Sequence, residues 1–121
     1  MKQKIATILL PLLLVSGSVF FAYQKSQNPY TIKIDLKSGN LFFDPDVIHA
    51  KVGDMLEFNV TNDGQHTFVI EDPKTNFYFK RELTEKHVAF TLKVEEKGTF
   101  EYFCDISGHK VGGQKGTLIV E

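Results

Sequence analysis

Cysteine is almost missing from this chain and tryptophan is wholly missing. One cysteine, Cys104, excludes an internal disulfide. It also argues against structural zinc modules, which draw on several cysteines at short paired spacings. No run of lysine or arginine occurs, which argues against nucleic acid as a partner and against a polybasic membrane contact. Without Lys2 and Lys4 of the N-terminal segment, 12 basic residues face 15 acidic ones, a net charge of −3. No G-x-S-x-G elbow marks a nucleophile, and no internal repeat or low-complexity stretch is present. Past the N-terminal segment, no window carries an apolar stripe of 3.6-residue period at helical length.

What is present is apolar and aromatic. Of the 121 residues, 42% are apolar and 12% aromatic, with eleven phenylalanines. That suffices for one domain with a core of Phe packed on β-branched residues.

Met1-Lys2-Gln3-Lys4 is a short basic start, and Ile5 to Phe21 is almost wholly apolar. The pattern reads as an export signal. Cleavage would fall after Gly17 or after Ala22. The segment 5–23 is also about long enough to span a bilayer, so it reads equally as a retained membrane tether. Either way the basic flank places the domain outside the cytoplasm, in a periplasmic or similar compartment. The expected division is therefore a signal peptide or anchor helix over 1–22, a polar linker over 23–30 and a domain over 31–121.

The body alternates apolar and polar residues in short runs broken by turn signals. Thr31–Leu36, Met55–Thr61, Lys86–Val94, Thr99–Cys104 and Lys115–Val120 are the plainest strands. Ser38-Gly39-Asn40 and Asn62-Asp63-Gly64 read as turns. Pro45 has no N–H to offer a ladder, so the strand before it ends there or lies at an edge. Seven or eight such strands predict an all-β Greek-key sandwich or barrel.

The chemistry sits in Cys104-Asp105-Ile106-Ser107-Gly108-His109-Lys110-Val111-Gly112-Gly113-Gln114. A thiolate, an imidazole and an amide oxygen at spacings of five are ligand types of a mononuclear copper site. A further histidine from a strand end would complete it. His66, just after the Asn62–Gly64 turn, is the candidate; His49 and His87 read as solvent-facing or hydrogen-bonded residues of strands. A lone Cys is otherwise an inert small hydrophobe, and it is the pairing with His109, Gln114 and His66 that favours a metal. Two rivals remain at this level: zinc, and a Cys-His nucleophile drawing on Cys104, His66 and Asp105.

These residues resemble the cupredoxins, the small blue-copper proteins. The resemblance covers most of residues 31–121. It rests on Phe43-Asp44-Pro45 through Gly53-Asp54, on Phe58 to Phe68 with its histidine, on Gly98–Cys104, and on Cys104 to Gly116, all in family order. It implies a Greek-key sandwich holding one copper ion, Cu(I) or Cu(II), near one end. His66, Cys104 and His109 would be the strong ligands and Gln114 the weak axial one. The implied work is one-electron transfer outside the cytoplasm, not catalysis. A transient redox partner would dock near His109 on a monomer, and the acidic net charge favours a basic patch on that partner. The Thr67 backbone N–H would reach the Cys104 sulfur. The alternative function is a copper carrier or sensor that does not shuttle electrons.

The chain also departs from the family. Gln114 stands where most members have Met, as in stellacyanin-like proteins, which however carry a disulfide. Ser107 replaces a frequent Pro. Phe100 replaces a Tyr whose hydroxyl braces a loop. One cysteine excludes a dinuclear copper site.

Overall fold

The computed structural model describes residues 30–121. The signal or anchor expected over 1–22, the tether over 5–23 and the linker up to Pro29 lie outside the described residues. Nine strands follow in order: β1 (Thr31–Gly39), β2 (Phe42–Asp44), β3 (Val47–Ala50), β4 (Met55–Asn62), β5 (His66–Asp72), β6 (Phe77–Leu83), β7 (His87–Lys93), β8 (Gly98–Phe103) and β9 (Lys115–Val120). They form a four-stranded sheet in the order β2-β1-β4-β7 and a five-stranded sheet in the order β3-β9-β8-β5-β6. No helix occurs among the described residues.

The all-β sandwich agrees with the sequence reading, but the strand count is nine rather than seven or eight. The chain changes sheets at Pro45-Asp46. Before that point β2 pairs antiparallel with β1; beyond it β3 pairs parallel with β9. Two short strands separated by a proline resemble one interrupted strand in sequence. They belong to different layers.

Alternation decides which face of each strand is buried. Along β7, Val88, Phe90 and Leu92 point inward, and His87, Ala89, Thr91 and Lys93 point out. In β4, Leu56, Phe58, Val60 and Asn62 take the inward positions. The centre of the core is aromatic. Phe68 is fully buried and packs against Tyr102, Phe58 and Phe90 with ring centroids 5.2, 5.1 and 5.3 Å away. Burying a side chain of this size stabilises by about 2–3 kcal/mol.

Two features aim the sandwich at one end. β1 runs past the turn expected at Ser38, so that Ser38 and Gly39 pair with Phe43 and Phe42. The Tyr102 hydroxyl donates to the carbonyl of Pro45 at 2.6 Å and ties β8 to the connection between β2 and β3. Gly116 permits this, because a Cβ there would lie 2.2 Å from the Tyr102 ring.

Candidate metal centre

Four segments meet at this end: the β1–β2 hairpin, the β4–β5 turn, the start of β5 and the β8–β9 loop. The loop is closed at its base by the amide of Cys104 donating to the carbonyl of Gln114 at 3.1 Å. Within it, the amide of His109 donates to Ile106 and the amide of Gln114 donates to His109, each at 3.0 Å. Gly113, with φ of 119°, takes a backbone conformation closed to most side chains and turns the chain into Gln114.

His66 is held from behind. Asn62 is buried, and its Nδ2 donates to the carbonyls of Gly64 at 2.7 Å and Leu83 at 2.9 Å, which pins the turn before His66. The carbonyl of Asp63 lies 2.7 Å from His66 Nε2. A carbonyl only accepts, so Nε2 carries the proton and Nδ1 presents a lone pair.

The candidate donor atoms converge. His66 Nδ1 and His109 Nδ1 are 3.2 Å apart, Cys104 Sγ lies 3.5 Å from His109 Nδ1, and Gln114 Oε1 lies 3.1 Å from the same nitrogen. The nitrogen and sulfur atoms of His66, Cys104 and His109 all fall within 4.8 Å of one another. One proton on His109 Nδ1 cannot serve three acceptors at once; a single cation between them can. Two imidazoles, one thiolate and one weak oxygen form the donor set suited to copper. Cys104 and Gln114 are fully buried, and His66 is 5% exposed, so the donors are largely screened from water.

All four residues singled out in the sequence are therefore brought together. His49 and His87 are exposed and lie apart from the cluster. The Thr67 amide donates to Cys104 Sγ at 3.4 Å, as expected from its place next to His66. The nucleophile alternative lacks its orienting acid: Asp105 turns to Thr67 Oγ1 at 2.7 Å and Lys80 Nζ at 2.9 Å, and His66 is oriented by Asp63. The hydrogen bond from Thr67, followed by that from Lys80, holds the Asp105 carboxyl below its ordinary value.

Sequence reading missed three contributors. Ser38 and Asn62 appear as turn residues, yet both are buried and hydrogen-bonded at the site. Lys80 carries no signal at all, since its partner Asp105 is 25 residues away.

A sandwich with such a cluster at one end defines a small mononuclear copper protein. Residues 6–120 match the family profile described as Cupredoxin-like domain, and the chain belongs to that family. It is 28% identical over 102 residues to a plastocyanin of Dryopteris crassirhizoma, covering 74% of this chain and 98% of that protein. A halocyanin of Natronomonas pharaonis is 30% identical over 80 residues, covering 65% of this chain and 48% of that protein. Among solved structures, auracyanin A, a blue copper protein of Chloroflexus aurantiacus, superposes with a TM-score of 0.60 at 17% identity. That match covers 75% of this chain and 99% of the auracyanin, and supports the fold. One copper ion is the cofactor that the cluster fits.

Proposed function

We propose that this protein is an extracytoplasmic type 1 copper protein that carries single electrons between redox partners. His66 Nδ1, Cys104 Sγ and His109 Nδ1 would hold the metal strongly, and Gln114 Oε1 weakly. The observation that carries the reading is the convergence of these four atoms around one point. Copper, when bound there, supplies a one-electron couple between Cu(II) and Cu(I).

The chain's own residues do the rest. The closed loop and the Asn62-pinned turn hold the donors in one arrangement, so little needs to move when the charge changes. Packing of Cys104 and Gln114 keeps water from the sulfur. His109 is half-buried in the loop. Val111 beside it is 95% exposed, and Leu41, against Gly112, is 37% exposed. Phe42, next along the hairpin, is 45% exposed. This apolar rim suits the small, transient interfaces of redox encounters. The acidic net charge favours a partner with a basic patch.

The copper-loaded protein tests the carrier role by voltammetry and repeated chemical reduction and reoxidation. A reversible one-electron wave with copper retained through the cycles supports it. Loss of copper on reduction would point to a metal carrier or store.

A further inference from the structure

Thr67 is buried beside the Cys104 sulfur, and its hydroxyl has one proton to give. Two acceptors are in reach. Asp105 Oδ1 is 2.7 Å from Thr67 Oγ1, and Cys104 Sγ is 3.7 Å away. The Asp105 amide donates back to Thr67 Oγ1 at 2.9 Å, which fixes the hydroxyl oxygen and closes a small ring with the carboxylate. Lys80 Nζ takes the other carboxylate oxygen at 2.9 Å and braces Asp105 in this orientation. A charged acceptor at the shorter distance wins over a sulfur at the longer one. The sulfur is then left with the Thr67 amide, at 3.4 Å, as its donor from this residue.

Hydrogen bonds to a metal-bound thiolate withdraw electron density from the sulfur. Their number is one of the levers on the potential of such a site. Each donor removed favours the oxidised metal. We propose that Asp105, braced by Lys80, is a positioning residue that withholds the Thr67 hydroxyl from the Cys104 sulfur and so holds the reduction potential down. The inference rests on the copper reading above and deepens it. It assigns to a surface ion pair, which by itself stabilises little, a role in tuning the buried sulfur.

The test compares Asp105→Asn, Asp105→Ala and the double variant Asp105→Ala/Thr67→Val in their copper-loaded forms. Reduction potential and the energy of the thiolate-to-copper band are read for each. Asp105→Asn removes the charge while its amide oxygen still accepts the hydroxyl proton. Asp105→Ala removes both. The expected result is a larger upward shift in potential for Asp105→Ala than for Asp105→Asn, with the excess gone when Thr67→Val is added. Equal shifts in the two single variants, or an excess that survives Thr67→Val, would overturn the inference. A wild-type protein without an intense visible band would overturn the copper reading itself, which keeps the two failures apart. Should Asp105→Ala fail to load copper, electron–nuclear double resonance on the wild type after exchange into D2O decides the matter. One strongly coupled exchangeable proton from Thr67, its amide, is expected; a second from its hydroxyl would contradict the proposal.

Discussion

The side-chain amide nitrogen of Gln114 donates to Ser38 Oγ at 3.2 Å and faces the carbonyls of Gly39 and Phe42 at 3.3 and 3.4 Å. Backbone carbonyls accept and do not donate, so the nitrogen must lie on that side. The hairpin thereby turns Oε1 toward His109 Nδ1, 3.1 Å away. An amide that rotated would place its N–H groups against His109 Nδ1 and leave its oxygen against carbonyls.

An amide oxygen is a harder donor than a thioether and favours Cu(II). Gln114→Met is therefore expected to raise the reduction potential. A tenfold change in relative affinity for the two oxidation states corresponds to about 59 mV for one electron. Voltammetry on the two proteins reads the difference. An equal or lower value in the variant would count against axial coordination by Gln114.

Asn62 ties the His66 turn to the end of β6. Its Nδ2 serves Gly64, Leu83 and, at 3.2 Å, Glu85. Asn62→Ala takes this donor from the buried carbonyl of Leu83, which costs about 1–3 kcal/mol. Urea unfolding of the metal-free protein should show this loss. Copper competition assays should show weaker binding, because the same turn carries His66. Unchanged stability would mean that the turn holds its shape without the clamp.

Phe68 is fully buried, with rings of Phe43, Phe58, Phe79, Phe90 and Tyr102 around it. Phe68→Ala should destabilise the domain by about 3–5 kcal/mol through lost burial and the cavity left behind. Thermal or urea unfolding measures it. A cost under about 1 kcal/mol would show that the neighbouring rings collapse into the space.

Val111 stands almost fully exposed beside His109. Val111→Lys should slow electron transfer to a redox partner with a basic patch and leave the visible spectrum and potential nearly unchanged. Stopped-flow mixing with a partner reads the rate. Equal rates for both proteins would move the docking face elsewhere.

Much of this architecture is legible in the sequence. Cys104, His109 and Gln114 stand in one loop at regular spacing, and a turn signal precedes His66. Alternation along β4 and β7 gives the inward faces directly. Other features depend on contacts between distant segments, where periodicity carries no information. Ser38 reaches Gln114 across 76 positions, and only because β1 continues through the residues that read as a turn. Lys80 meets Asp105 because β6 pairs with β5 beside the end of β8. Asn62 has the composition of a turn residue, and its buried clamp emerges only once β6 lies next to it. The separation of β2 from β3 into different sheets is likewise a property of pairing rather than of local pattern.

The most direct test of the central claim is addition of Cu(II) to the purified metal-free protein, alongside Cys104→Ser. The arrangement of His66, Cys104, His109 and Gln114 predicts an intense visible thiolate-to-copper band that saturates at one copper per chain and is absent in Cys104→Ser. A wild-type protein that binds copper without that band, or a band that survives Cys104→Ser, would contradict it.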